Sequence, residues 1–575
     1  MINQQIAKIF EDIADLLEMK DVAFKPRAYR RAAFAISSLS EDVAEIYKKG
    51  GLPALEEIPG VGKNLALHIE EFIKTGKIKG FEQLKKKMPV AVSELVSIEG
   101  IGPKIIKKLY QHLKIRNLKD LEKAARGHKI QKIKGLGPKA EKNILQRLLA
   151  VKVRPNRFLL GDVLPEAQEI KLALQKFLHI KKEVEIAGSI RRGKETIGDI
   201  DILAIADQPK KIIDFFVKLP QVKKIIAKGE TKGAVILNSG IDCDLRVLKP
   251  ESYGAALLYF TGSKAHNIKL RQLALKHNWK LSEYGLFAGK KMIAGRTERE
   301  VYDKLKLQYI EPELREDTGE IEAASKNTLP HLVETRDIKG LFHVHSEWSF
   351  GDGHDKIIDI AHVCQKMGMK YVVISDHVGT LAIAGGMKEK DLLRQKKEID
   401  RLNAGLKNFK ILWSAEVNIL KNGELDVRDE ILEKMDLVIA SVHSAFRMPK
   451  QEMTERIIRA MKNKNVDIIA HPTGRLILKR EPYEVDLTKI IRAAREYKVA
   501  LEINAQPIRL DLRDVDIKMA VDAGVKLAIG PDAHHLDDLR YFEFGVLTCR
   551  RGWAQKADIL NTWPAEKVKE WLAKK

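Results

Sequence analysis

Residues 187–203 read AGSIRRGKETIGDIDIL. The apolar alternation around Asp199-Ile200-Asp201, continued by Ile202 and Leu203, predicts a strand on which side chains i and i+2 share a face. Asp199 and Asp201 therefore point the same way. Two carboxylates held that close repel unless a cation lies between them, and hard oxygen ligands suit Mg²⁺. Just upstream, the Gly188-Ser189 turn offers backbone N–H groups and a hydroxyl to phosphate, and Arg192 adds a fixed cation. A phosphate cradle beside metal-binding carboxylates is the equipment of phosphoryl transfer. A bare Asp-x-Asp is more often a solvated surface strand. The preceding Gly-Ser turn and the Arg191-Arg192 pair reverse those odds.

Two metal ions need a third carboxylate, which should come from a neighbouring strand. Residues 240–248, GIDCDLRVL, put Asp242 and Asp244 on alternating strand positions. Tyr259-Phe260-Thr261-Gly262-Ser263 follows, then Asn267 and Arg271. This set of motifs resembles the family X DNA polymerases. The resemblance implies that Asp199, Asp201 and Asp244, the last standing before Leu245-Arg246, are the catalytic metal ligands, with Asp242 extra. It implies that Gly188, Ser189 and Arg192 hold the triphosphate, and that Tyr259, Phe260 and Gly262 line the sugar. Asn267 would touch the base, and Arg271 would lie near the template strand. Glu283-Tyr284-Gly285 also matches the family, in a segment that borders the DNA.

A length of 575 residues predicts about four domains, each able to bury a core. Apolar content of 45% and charged content of 31% describe a soluble globular chain. No apolar run reaches membrane-spanning length, and the amphipathic, acid-containing N-terminus is no signal peptide. Three scattered cysteines, Cys243, Cys364 and Cys549, form no disulfide framework and point to a reducing compartment. Of the net charge of +23, residues 341–575 carry +4, leaving +19 on residues 1–340. A basic N-terminal half facing a polyanion accounts for that asymmetry, because each Lys or Arg near phosphate releases counterions.

From the N-terminus, Ile58-Pro59-Gly60-Val61-Gly62-Lys63 precedes a helical stretch. A hydrophobic residue, Gly-x-Gly and a helix make the helix-hairpin-helix pattern. Its glycines let the backbone approach a DNA phosphate, and the helix N-terminus favours the phosphate charge. The device recurs at Gly100-Ile101-Gly102-Pro103-Lys104 and at Gly135-Leu136-Gly137-Pro138-Lys139. One Gly-x-Gly is a tight turn, whereas three with the same apolar and basic framing are a repeat. Such contacts read the DNA backbone and not its sequence. The polymerase family keeps, on the helix after the first hairpin, a lysine that opens abasic sugars through a Schiff base. The matching position here is His68, with Lys63 and Lys74 nearby. Imidazole forms no Schiff base, so no lyase is expected at residue 68.

The last 235 residues change character. Seven apolar runs each end in a polar or metal-capable residue and lead into a helical stretch. They are 341–345, 371–377, 411–417, 437–443, 467–471, 500–504 and 527–534. Repeated strand then helix predicts a parallel barrel whose strand C-terminal ends converge on one mouth. His343 and His345 share one strand face. His377, His443, His471 and His534 arrive from other strand ends, with Glu416 and Asp532 as carboxylates. Mixed nitrogen and oxygen ligands fit Mn²⁺ or Zn²⁺, and clustered divalent ions suit phosphate-ester hydrolysis. This half resembles the polymerase-and-histidinol-phosphatase (PHP) domain, whose motifs match His343-Val344-His345-Ser346, Ser375-Asp376-His377, Glu416-Val417, His443-Ser444, His471-Pro472-Thr473-Gly474 and Asp532-Ala533-His534. The resemblance adds Asp352, before Gly353, as a ligand, although Phe350-Gly351 lengthen the family's spacing. It implies two or three ions and removal of nucleotides from DNA 3′ ends, with 3′-phosphatase or AP-endonuclease activity as extensions.

The expected fold is multidomain, α+β and α/β. Residues 1–85 are a helical domain with a helix-hairpin-helix, and 86–152 a helical DNA-binding subdomain with two more. Residues 153–249 are the nucleotidyltransferase palm, 250–315 a nucleotide-binding thumb, 316–338 a polar linker and 339–575 a distorted (β/α)7 PHP barrel. The expected activity is filling of short gaps during base excision repair by two-metal nucleotidyl transfer, using Mg²⁺ or Mn²⁺, beside a 3′–5′ exonuclease. Expected partners are gapped or primer–template DNA and dNTPs. The chain is expected to be monomeric and cytoplasmic, with no membrane contact. Two other classes stand against this reading. A small-molecule phosphatase leaves the basic half and three hairpins without purpose. A DNA-binding scaffold with a dead polymerase site leaves the intact aspartate triad without purpose.

Overall fold

The computed structural model describes residues 2–37, 43–58, 60–96, 101–133, 135–138, 140–145, 157–178, 184–379 and 386–573. The chain divides into two compact units, Met1–Asn156 with Asp317–Gly319, and Arg157–Glu316 with Glu320–Lys575.

The first unit is helical. Its core is a continuous apolar cluster that includes Phe10, Ile36, Leu55, Ile69, Leu95, Leu109 and Ile130. Helix Lys63–Thr75 is capped by Gly62, and helix Pro103–Leu113 by Gly102 with proline in its first turn. Proline fits there because the first N–H groups of a helix have no internal partner. Gly60 sits at φ 87° and Gly135 at φ 89°, a region that L side chains rarely adopt. At Gly60 a side chain would also meet Arg31 Cγ at 2.8 Å. Gly100 and Lys139 lie outside the described residues, as does Arg154-Pro155.

The second unit opens with a five-stranded sheet of Val184–Ile186 (β1), Asp199–Ile205 (β2), Val222–Lys228 (β3), Lys232–Leu237 (β4) and Asp242–Leu248 (β5), in the order β1-β2-β5-β4-β3. Strand β2 runs parallel to β5 with Asp199 opposite Asp242 and Asp201 opposite Asp244, and the other pairs are antiparallel. Helices Tyr253–Thr261 and Lys264–Lys276 follow. An antiparallel meander of Trp279–Ser282 (β6), Gly285–Ala288 (β7) and Lys291–Ala294 (β8) completes this part.

The C-terminal part is all parallel. Gly340–Val344 (β9), Tyr371–Ile374 (β10) and Lys410–Trp413 (β11) form one sheet. Glu416–Asn418 (β12), Ile439–Ser441 (β13), Ile468–Ile469 (β14), Ala500–Asn504 (β15) and Leu527–Gly530 (β16) form the other. Parallel bridges Val344–Ala533 and His377–Glu416 join the two sheets at both ends. The third of the seven runs is therefore two strands, broken at Ser414–Ala415, and that break distorts the barrel. Strands buried on both faces read as continuous apolar runs, as these do.

Residues 316–338 are not an extended tether. Helix Glu320–Ser325 lies there, with Glu320, Ile321 and Ala324 buried. Glu322, Lys326 and Arg336 are exposed, but Glu320 is not: its Oε1 lies 2.7 Å from His266 Nδ1, and both side chains are fully buried. The barrel also grips the palm directly. Arg475 Nη2 donates to Glu195 Oε2 at 2.7 Å, and Gly161 abuts Pro507 so closely that a Cβ would lie 2.4 Å from it.

Candidate active sites

The strand ends of β2 and β5 gather four carboxylates. Burial, then Asp199 and Asp244, push the Asp201 carboxyl up to about 7. Lys232 Nζ lies 2.7 Å from Asp244 Oδ2. The short helix Gly188–Arg191 faces these acids, and Gly188 has φ 63° with a hypothetical Cβ only 2.7 Å from Asp201 Oδ2. Any side chain there is strained by the backbone and displaces the Asp201 carboxylate. One cavity of about 520 Å³ is lined by Gly188, Ser189, Arg192, Asp199, Asp201, Tyr259, Phe260, Gly262, Asn267 and Arg271, joined by Arg157, Lys194, Gly198 and Lys264. Crowded carboxylates below a cationic rim are a donor set that fits divalent ions carrying a triphosphate.

The supports of this cavity lay beyond motif reading. Arg191 clasps Glu298 bidentately, at 2.8 and 2.7 Å. Burial opposes ionisation of Glu298, but Arg315 and Arg191 outweigh it and hold the carboxyl at about 2. Arg192 Nε donates to Glu316 Oε1 at 3.0 Å, and its Nη1 to the Thr261 carbonyl. Glu316 in turn accepts from Arg551 Nη1 at 3.1 Å, the same nitrogen donates to the Arg192 carbonyl at 2.7 Å, and Arg551 Nη2 reaches Asp514 Oδ2 at 2.5 Å. The barrel thus holds the palm's phosphate-facing loop. Asn267 Nδ2 donates to the Tyr259 carbonyl at 2.7 Å, which fixes its orientation.

At the barrel mouth, all nine candidate ligands converge. Three groups bring ligand atoms within 4.8 Å of one another: His345, His377 and His534; His343, His345 and Asp532; and His377, Glu416 and His443. Glu416 Oε1 lies 3.1 Å from His471 Nε2 and 3.2 Å from His443 Nε2. Asp352 Oδ2 lies 3.4 Å from Nε2 of both His377 and His534. The longer spacing before Asp352 is taken up by a turn in which Asp352 N and Gly353 N both donate to the Ser349 carbonyl. His343, His471 and Asp532 adopt φ of 55°, 28° and 49°, a left-handed backbone that aims them inward. Among the described residues, His343 Nε2, His345 Nε2 and Asp352 Oδ1 are buried without a hydrogen-bond partner. Such atoms are costly unless something else occupies them, so the pocket fits divalent cations.

Glu502 was missed by sequence reading. Its Oε1 lies 2.5 Å from His343 Nδ1, and its Oε2 accepts from His471 N at 2.7 Å. A carboxylate behind a ligating imidazole fixes its tautomer and orientation. The signal was present, since Glu502 sits two residues before Asn504 inside an otherwise apolar run.

The DNA polymerase beta thumb family matches residues 256–316, and the PHP domain family matches residues 342–506. A helix-hairpin-helix domain matches residues 1–78, and a SAM-like helix-hairpin-helix tandem residues 92–148. The chain is 39% identical over 577 residues to the DNA polymerase/3′-5′ exonuclease PolX of Bacillus subtilis (strain 168), spanning 100% of this chain and 99% of that protein. DNA polymerase lambda of Arabidopsis thaliana is 24% identical over 55% of this chain and 62% of its own length. A probable phosphatase of Thermoanaerobacter sp. (strain X514) is 31% identical over 40% of this chain and 91% of its own length. The fold and the paired sites define a nucleotidyltransferase fused to a PHP phosphoesterase barrel. The chain belongs to the family X DNA polymerases that carry a C-terminal PHP domain. It is a DNA-directed DNA polymerase, it binds DNA and dNTPs, and it uses divalent metal. Among the described residues, no helix is long and apolar enough to cross a membrane.

Proposed function

We propose that this polymerase fills short gaps during base excision repair and trims 3′ ends with its own PHP nuclease. The observation that carries the first half is the single cavity in which Ser189 and Arg192 face Asp199 and Asp201. Asp199, Asp201 and Asp244 would hold Mg²⁺ or Mn²⁺. Bound ions supply charge neutralisation for the triphosphate and ease proton loss from the primer hydroxyl. Ser189 and Arg192 hold the phosphates. Tyr259, Phe260 and Gly262 pack the sugar, and Asn267, fixed by the Tyr259 carbonyl, meets the base. At the barrel, His343, His345, Asp352, His377, Glu416, His443, His471, Asp532 and His534 would hold two or three Mn²⁺ or Zn²⁺ ions, with Glu502 orienting His343. The hairpin residues Gly60, Gly62, Lys63, Gly102, Lys104, Gly135 and Gly137 grip the DNA backbone, with Gly100 and Lys139 in the same motifs. The protein acts as a monomer in the cytoplasm.

The test is a labelled primer on gapped DNA with Mn²⁺, with and without dNTPs. Asp201→Ala abolishes extension and leaves DNA binding intact, whereas His343→Ala removes degradation and leaves extension. Extension by Asp201→Ala at the wild-type rate, or degradation surviving in His343→Ala, defeats the assignment. A second reading, hydrolysis of phosphate monoesters at the barrel, draws on the probable phosphatase that matches this half alone. The same assay on a 3′-phosphorylated primer separates the two.

A further inference from the structure

The barrel cavity has a volume of about 560 Å³, far more than its metal ligands require. One wall is the ligand cluster. The rest of the lining carries an apolar wall of Ile419, Leu420, Val442, Phe446 and Leu476, interrupted by Ser444, Arg480 and Gln506. A half-buried apolar wall gives nothing to a phosphate group, which is hydrophilic on every side. It suits a flat group with an apolar face attached to the phosphate undergoing cleavage.

The wall is rigid. The Arg480 guanidinium lies 4.4 Å over the Phe446 ring and donates to the Gly474 carbonyl through Nη2 at 2.7 Å. Phe446 also lies parallel to Tyr483, with centroids 6.3 Å apart, and the Tyr483 hydroxyl donates to the Pro472 carbonyl at 2.8 Å. Arg509 lines the same cavity beside the ligand Asp532. Its Nε is 3.5 Å from Asp532 Oδ2 and, among the described residues, makes no hydrogen bond. A cation held beside a ligand, with a donor unused, is placed to take a phosphodiester oxygen.

We propose that this apolar wall is a subsite for the nucleobase of the 3′-terminal nucleotide, with Arg509 holding the phosphodiester to be cut. The proposal rests on the nuclease reading and deepens it. Contact through an apolar face tolerates all four bases, because each has a π-face. The subsite would select for nucleotide ends over small polar phosphate esters without selecting sequence.

The test uses the full-length protein, Mn²⁺ and no dNTPs, on primers ending in a normal nucleotide or in an abasic sugar. Wild type should degrade the normal end with a KM about tenfold lower than the abasic end. Phe446→Ala should erase that difference by raising KM for the normal end alone. A Phe446→Ala protein that keeps the wild-type ratio between the two ends overturns the proposal. A companion measurement needs neither the variant nor exonuclease action. Wild-type hydrolysis of bis(p-nitrophenyl) phosphate is competed by dTMP and by deoxyribose 5-phosphate. Inhibition by dTMP at about tenfold lower concentration supports the base subsite, and equal inhibition overturns it. If wild type degrades neither primer, the nuclease reading fails, and the competition result still decides the subsite.

Discussion

Replacing Asp201 by Asn should make the metal-free protein more stable while destroying synthesis. Asp201 is held at about 7 because it is buried beside Asp199 and Asp244, against a value of 3.8 for an ordinary aspartate. A carboxyl raised in the folded state contributes stability that is fully present below the unfolded value, near pH 4. That contribution is lost as pH rises through about 7. At pH 8 the wild type has lost it, and a shift of about three pH units corresponds to about 4 kcal/mol. Asn has nearly the same shape and no charge, so the variant escapes the loss. For a unit of about 400 residues unfolding with about 2.1 cal/mol/K per residue, 4 kcal/mol moves the melting temperature by roughly 5 °C. The assay is thermal denaturation of both proteins in EDTA at pH 3.5 and pH 8, repeated at pH 8 with Mg²⁺. In EDTA the two melt together at low pH, and the variant melts higher at pH 8. Mg²⁺ raises the wild type and leaves this part of the variant unmoved. An Asp201→Asn protein that melts at or below the wild type at pH 8 in EDTA refutes the electrostatic argument.

Three further outcomes are expected. Arg551→Met leaves Glu316 and Asp514 without their buried guanidinium, which costs about 3–5 kcal/mol. Because Glu316 holds Arg192, the KM for dNTP rises as well, and a melting curve with a nucleotide titration checks both. Binding to gapped DNA weakens by roughly a thousandfold between 50 and 200 mM salt if six or more phosphates are contacted, and a flat fluorescence-anisotropy series excludes the basic half as the grip. Borohydride should trap little adduct on DNA carrying a 5′-deoxyribose phosphate. The His68 ring is half-buried, with Nδ1 3.1 Å from the Tyr29 hydroxyl, and has no primary amine. His68→Lys should trap more, whereas strong wild-type trapping that vanishes in Lys63→Ala would reveal a relocated nucleophile.

The parts of this molecule legible in sequence are those where chemistry follows a short period. Asp199 and Asp201 could be placed on one face from alternation alone, and most of the candidate barrel ligands from their position after apolar runs. Asp352 stood outside any strand, and only the turn at Ser349 carries it to His377 and His534. What stayed hidden depends on residues far apart in the chain. Arg551 meets Asp514, Glu316 and the Arg192 carbonyl across separations of 37 to 359 residues, which no periodicity reports. The helix Glu320–Ser325 inside 316–338 stayed hidden for a related reason. Polarity predicts exposure only when the charges have no buried partner, and Glu320 has His266. The break at Ser414–Ala415 was invisible because neither glycine nor proline marks it.

The ion pairs that cross from barrel to palm also bear on how the gene can change. A frameshift or stop codon that discards the barrel's part of the message would not yield a milder enzyme that copies without editing. It would yield a palm whose Glu195 has lost Arg475, beside a Glu316 that keeps Arg192 but has lost Arg551. Recombination that swaps the barrel for a distant homologue's faces the same barrier unless both halves of each pair travel together. Loss-of-function alleles at Arg475 and Arg551 should therefore display polymerase phenotypes as well as nuclease ones.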